Sequence, residues 1–343
     1  MKKLKIGIVG LGRVASATHI PVLKTLSNVE VIAGVEKNQE RAKRVKELFG
    51  IERVYSDYEE MYVSENLDGV YICLPNFLHM DACIKAINHR IHVLCEKPFG
   101  VSVSEARKIV NQAEQKGVIV IPGYKKRYAR NFKKAKRMVE EEVLGKIIHV
   151  QGTFLTPGPY ISWDPKSDWY LDKKWHGVIY DVGCHLVDLL LYLVPYKVTN
   201  VKLVKQKGLT GYNTPTNVAC VFEMEEGTTG DLAIGWRAAT DIISLSLHGT
   251  AGSLTVSRDY FAYVNAGTDP IDRIKMSLEN VYSECNALIK KIWDKTHGRN
   301  FYEEDLIQAQ TFCRSISGLE TPPIHGNDAI KIHQFLEKMI VSG

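Results

Sequence analysis

The chain has 343 residues, a length of about two domains. Its 45% hydrophobic and 24% charged residues are ordinary globular values, which exclude collagen-like, disordered and disulfide-scaffold classes. The net charge of +5 comes from basic residues mostly interleaved with acids, which argues against a nucleic-acid binder.

In chain order, Lys3–Val9 reads as a strand ending at Gly10, followed by a helix over Arg13–Leu26. Val29–Val35 is a second strand and Asn38–Phe49 a second helix closed by Gly50. Leu67–Leu74, His92–Cys95 and Val118–Ile121 are further strands, with helices over Leu78–His89 and Ser102–Lys116 between them. Strands alternating with helices of 10–15 residues predict βαβ units and a parallel sheet.

After about residue 145 the pattern changes. β-rich runs follow at 146–155, 198–205, 217–224, 228–236, 242–248 and 253–257, with little helix between the last five. They predict an α+β second domain with a mostly antiparallel sheet. The boundary is placed near Gly123–Lys126, giving domains 1–123 and 124–343, and helices near 302–317 and 327–341 are free to pack on either.

The longest apolar stretch near a proline, Val187–Val194, contains Asp188, and a membrane-spanning helix needs about 20 apolar residues, so none is expected. The lysines of Met1–Lys5 precede a short glycine-rich run ended by Arg13, a strand and turn rather than a signal sequence. Seven cysteines form no C-x-x-C pair, which points to free thiols in a reducing, cytoplasmic setting. Eleven histidines form no H-E-x-x-H or similar cluster, so no metal is expected.

The first turn reads Gly10-x-Gly12-Arg13-Val14-Ala15. Gly10 permits the tight turn, Gly12 lets a pyrophosphate approach the backbone, and the helix N-terminus beginning at Arg13 and Val14 offers free N–H groups. Glu36 ends the second strand, 21 residues after Ala15. Its carboxylate suits the ribose hydroxyls of NAD; a 2′-phosphate about 4 Å away would be repelled by roughly 4 kcal/mol, so NADP is disfavoured.

Two segments supply candidate catalytic groups. Lys97, in Cys95-Glu96-Lys97-Pro98, follows a strand, where open α/β sheets bind ligands. Pro98 keeps Lys97 out of helical geometry and permits a cis bond. Asp181, His185 and Asp188 stand at i, i+4 and i+7, one face of a helix. Flanking carboxylates favour the charged imidazole, so a pKa near or above 7 is expected, suited to acid–base chemistry.

These motifs resemble the glucose–fructose oxidoreductase/inositol dehydrogenase/MocA family over nearly the whole chain. His19-x-Pro21, Pro75-Asn76-x-x-His79 and Gly123-Tyr124-x-x-Arg127-Tyr128 fall where that family has similar residues. The resemblance implies a Rossmann domain followed by an α+β domain whose open sheet pairs subunits into a homodimer or homotetramer. It implies a hydride moved between NAD and a carbinol carbon of a sugar or cyclitol. Lys97 would bind the reacting oxygen, His185 accept the proton, and Asp181 orient substrate or base. Asn76, His79 and Glu96 would lie on the cofactor side, and Tyr124, Arg127, Tyr128 and Trp169 on the substrate side. His176 stands where the family usually has another glycine, and Lys125 where an asparagine is common.

Three further features bear on substrate and partners. The loop 156–176 is rich in aromatics: Tyr160, Trp163, Trp169, Tyr170 and Trp175. Lys126, Arg130, Lys133, Lys134 and Arg137 share a helix face, which is either a solvated surface or a lure for an anionic sugar such as a nucleotide sugar or sugar phosphate. A free inositol or aldose is the alternative substrate, and a non-catalytic NAD-binding sensor the alternative class. Ile271, Ile274, Leu278, Val281, Cys285, Leu288 and Ile292 alternate by three and four, an a/d seam. That helix, 271–293, would pack on its own sheet or a neighbouring subunit, or lie on a membrane surface.

Overall fold

The computed structural model describes residues 3–159, 171–206, 213–265 and 301–343, with single helical positions between 271 and 296. It forms two compact units, one of residues 1–125 and 300–333, the other of 126–299 and 334–343.

The first unit is built on six parallel strands: β1 (Leu4–Val9), β2 (Val29–Val35), β3 (Arg53–Tyr55), β4 (Gly69–Ile72), β5 (His92–Cys95) and β6 (Val120–Pro122). Their order is β3-β2-β1-β4-β5-β6, so chain direction reverses on either side of β1. Strands such as β4, buried at every position, are covered on both faces, as a parallel sheet requires. The layers are α1 (Ile20–Lys24), α2 (Gln39–Phe49), α3 (Tyr58–Ser64), α4 (His79–Asn88) and α5 (Val103–Lys116). Asn38 caps α2 by accepting from the Arg41 amide, and Ser102 caps α5 by accepting from Glu105.

Two details differ from the sequence reading. The helix after the first turn contains a π-helical segment, Ala15–His19, before α1. β3 and α3 were not anticipated: three residues at a sheet edge are too short for a periodic signal.

The second unit holds seven strands: β7 (Ile147–Leu155), β8 (Val198–Lys205), β9 (Asn217–Met224), β10 (Thr229–Gly235), β11 (Ile242–Gly249), β12 (Gly252–Ser257) and β13 (Phe261–Asn265). Their order is β13-β12-β11-β7-β10-β9-β8. All neighbours are antiparallel except β7 and β10, which run parallel at the centre. Buried and exposed residues alternate along β9, the signature of one covered face. Under that face lie α6 (Arg130–Glu140) and α7 (Cys184–Leu193). Gly152 of β7 has no room for a side chain because Leu232, Leu245 and Leu186 close on it.

The last helices are α8 (Glu303–Ile316), in the first unit, and α9 (Gly326–Val341), whose residues divide between the units after His333. The helical stretch Lys173–Leu193 is long and apolar enough to cross a membrane, a property the sequence reading denied to any segment; its window is mostly buried inside the fold. All seven cysteines are free thiols.

Candidate active site

In the first unit the glycine turn follows β1. Gly10 has φ +87°, and a Cβ there would stand 2.7 Å from the Cys73 carbonyl oxygen, so glycine alone fits. Gly12 faces open space, which is what an approaching pyrophosphate needs. Arg13 and Val14 begin the helix, and the Ser16 amide bonds the Gly12 carbonyl. Glu36 sits one residue past β2. Its carboxylate accepts from the Asn38 amide at 2.9 Å and from the Arg41 guanidinium at 3.2 Å. Asn76 is 1% exposed, and neither atom of its side-chain amide has a partner among the described residues. An orphaned buried amide is costly unless something bonds it. Turn, open Gly12, ribose-suited carboxylate and orphaned amide together fit a dinucleotide.

Lys97 follows β5 on a loop with a cis bond to Pro98. Three buried imidazoles hold this loop. His19, at the end of the π-helical segment, meets the Glu96 carboxylate at 2.8 Å. His79 places Nδ1 2.8 Å from the Pro98 carbonyl and Nε2 2.8 Å from the Leu74 carbonyl. His333 places Nε2 3.0 Å from the Phe99 carbonyl. Carbonyls only accept, so a neutral His79 serves one of its two partners and an imidazolium serves both.

The charges of this region are tuned by burial and by each other. Burial pushes the Glu96 carboxyl up, but His19, Lys97 and Lys125 outweigh it and hold it at about 2. Burial lowers His79, against the pull of its two carbonyls and of Glu96. Burial lowers His333 to about 4. Lys125 is likewise opposed by burial, yet Asp305 at 2.6 Å raises it above the ordinary lysine value. Asp305 also accepts from the Tyr302 amide at the start of α8. This carboxylate lies 180 positions from Lys125, and no local pattern marked it.

In the second unit, the segment carrying Asp181 and His185 is not one regular helix. Ile179–Gly183 is π-helical and α7 continues from Cys184. The wider turn changes the angular spacing between Asp181 and His185 from that of an ideal α-helix. Gly177, at φ +47°, precedes it, with the Thr214 side chain 2.2 Å from where a Cβ would stand. His176 adopts φ +59°, a left-handed conformation, which explains why a glycine suits this position in related sequences. Its ring stacks on Tyr180.

Each carboxylate near His185 is fixed by its own donor. Asp181 accepts from the indole N–H of buried Trp236 at 3.0 Å. Asp188 accepts from Arg127 Nε at 2.7 Å, both side chains being buried. Arg127 also lies 5.0 Å from the Tyr192 ring. His185 is buried between these two arrangements in sequence and stands 6.2 Å from the Phe154 ring. Tyr124 and Tyr128 are buried as well. Trp169, Tyr160, Trp163 and Tyr170 lie outside the described residues. Of the basic face, Lys126, Lys133 and Lys134 stand over the rings of Phe154, Tyr128 and Phe261. Among the described residues no group of three or more His, Cys, Asp or Glu side chains could hold a metal.

Comparison with known proteins agrees with this construction. A myo-inositol 2-dehydrogenase from Thermotoga maritima is 28% identical over 198 residues, covering 58% of this chain and 57% of its own. A glucose-6-phosphate 3-dehydrogenase from Bacillus subtilis is 31% identical over 192 residues, covering 55% and 53%. The chain thus spans a little over half the length of these curated relatives. The WlbA dehydrogenase of Bordetella pertussis, solved with NADH and UDP-GlcNAcA, shares the fold at a TM-score of 0.84 and 19% identity, covering 99% of this chain and 95% of its own. Residues 4–124 match the oxidoreductase family with an NAD-binding Rossmann fold and residues 132–255 the GFO/IDH/MocA C-terminal domain, so the chain belongs to the GFO/IDH/MocA family of oxidoreductases.

Proposed function

We propose that the protein is an NAD-dependent dehydrogenase acting on a secondary hydroxyl of an anionic sugar, specifically a nucleotide sugar. The observation that carries the catalytic reading is the framing of His185. Asp181 precedes it, fixed by Trp236, and Asp188 follows it, fixed by Arg127. Such fixed carboxylates orient an imidazole and favour its protonated form, which a proton acceptor must become.

When bound, the nicotinamide supplies the hydride acceptor. The roles of this chain are then distinct. Lys97 stabilises negative charge developing on the substrate oxygen, and His185 takes the hydroxyl proton. Asp181 orients the base or the substrate. Gly10, Gly12, Arg13 and Val14 hold the pyrophosphate, Glu36 the adenosine ribose, and Asn76 the nicotinamide ribose. Glu96 and His79 act on the cofactor side through the Lys97 loop. Tyr124, Tyr128 and Trp169 contact substrate. Arg127 acts by holding α7 through Asp188 rather than by meeting a phosphate, because its guanidinium is 3% exposed. The outer face of the second sheet, where Val204 and Val221 are exposed, is the proposed surface for homo-oligomers.

The nucleotide-sugar reading is supported by likeness to the WlbA complex with UDP-GlcNAcA. The inositol dehydrogenase likeness favours a free cyclitol as the second reading. The test is NADH formation by purified protein with UDP-sugars, myo-inositol and glucose 6-phosphate, together with mass spectrometry of nucleotides released on denaturation. Bound NAD and turnover of a UDP-sugar are expected. Turnover of inositol alone selects the second reading, and bound NAD without turnover of any sugar overturns both.

A further inference from the structure

The three–four apolar seam between 271 and 296 has no counterpart to cover it. Among its described helical positions, Ile274, Leu278, Val281, Leu288 and Ile292 are 57–63% exposed. Tyr282 and Ile289, at the positions following Val281 and Leu288, are 72% and 63% exposed and widen the stripe. In α7 the equivalent apolar positions, such as Leu186, Leu189 and Leu193, are fully buried. The seam is therefore not packed on the protein's own sheet. Contiguous exposed apolar patches beyond a few hundred Å² are rare on monomeric proteins and mark an interaction surface.

Width and charge distinguish the occupants. A two-stranded coiled coil has a narrow a/d seam flanked by charged e and g positions that pair across it. Here the e positions of the second and third heptads are Tyr282 and Ile289, which form no ion pairs. A broad apolar face is instead the form of a helix lying in the plane of a lipid surface. The sequence closes this segment with Lys290, Lys291, Lys295 and Arg299 around Trp293, against the single acid Asp294. Juxtaposed basic residues and an indole are what the headgroup region of an anionic leaflet attracts. Charged residues recur too often along 271–299 for the segment to span a bilayer.

We infer that the 271–296 helix seats the protein on an anionic lipid surface, lying along the membrane with its apolar face inserted. The inference is independent of the substrate and of the dehydrogenase reading.

Full-length protein is sedimented with vesicles of phosphatidylcholine, alone or mixed with phosphatidylglycerol, at low and high salt. Binding to the mixed vesicles, weakened by salt and slight on phosphatidylcholine alone, is expected. Each lysine near an anionic surface contributes about a fivefold factor, so K290Q/K291Q/K295Q binds about a hundredfold more weakly. L278D/L288D, on exposed positions, abolishes binding while keeping the circular-dichroism spectrum and the bound nucleotide. Absence of binding at low salt overturns the inference, as does equal binding to both vesicle types. A dimer in light scattering that L278D/L288D splits, without vesicle binding, assigns the face to a second copy instead.

Discussion

Arg127 and Asp188 meet at 2.7 Å inside the second unit, and Asp188 stands one helical turn beyond His185 on α7. Buried charges are tolerated only in pairs, so removing one partner strands the other. D188N or R127M is expected to cost about 3–5 kcal/mol of stability, whereas the double variant R127M/D188L loses much less. Urea unfolding of the three variants checks this. Because the pair fixes the helix that carries His185, R127K should lower kcat more than it raises KM. A change in KM alone would return Arg127 to direct substrate binding.

Lys97 and His185 are assigned separate jobs, charge stabilisation and proton acceptance. K97A and H185A are each expected to lower turnover by about 10²-fold or more, since a positioned acid or base contributes about 10²–10⁴. NAD titration by protein fluorescence should still show binding in both. Near-normal turnover in either variant removes that residue from the chemistry.

Much of the first unit was legible because its signals are local. The glycine turn, Glu36 at a strand end, and helices punctuated by Asn38, Gly50, Ser102 and Gly117 are read within a dozen residues. The chemistry around His185 was legible only as spacing. Its π-helical turn, and the Trp236 indole that fixes Asp181 from 55 positions away, depend on tertiary packing. Asp305 beside Lys125 was invisible for the same reason. Arg127 illustrates the converse: its position in a basic run suggested a phosphate contact, whereas Asp188 lies 61 positions away and engages it inside the fold. The basic run looked like a field for anions, yet three of its lysines stand over aromatic rings.

The loop carrying Lys97 should register acid. His333 is lowered from 6.5 to about 4, so the unfolded chain binds its proton first and stability falls as pH drops from 6.5 to 4. Glu96 is lowered from 4.5 to about 2, and its contribution is present above 4.5 and lost as pH falls toward 2. Each shift corresponds to about 3 kcal/mol. Urea unfolding across this range should show two successive declines. E96Q should flatten the lower one and H333F part of the upper, the remainder arising from His79, which burial also lowers.

His79 joins the backbone before α4 to the backbone after Lys97 through the Leu74 and Pro98 carbonyls. H79F keeps the bulk but leaves these carbonyls without that donor, at a cost of about 1–3 kcal/mol. Its effect on activity should appear in kcat, through the freedom given to Lys97, with NAD affinity changed little. H79Q, which restores one donor, should recover part of the loss. Equal kcat in the wild type and H79F would limit the imidazole to stability.

Glu36 holds Arg41 at 3.2 Å, and the two set the cofactor preference together. In the wild type the carboxylate suits ribose hydroxyls and neutralises the guanidinium, so a 2′-phosphate meets repulsion without a free cation. E36S removes the repulsion and releases Arg41, the residue type that receives a 2′-phosphate in related sites. The ratio of kcat/KM for NADP to that for NAD should rise at least about tenfold, a fraction of the roughly 4 kcal/mol that one unit-charge pair at 4 Å represents. Adding R41A should return most of that gain, because the phosphate then has no guanidinium to meet. An unchanged ratio in E36S would place the ribose away from the end of β2.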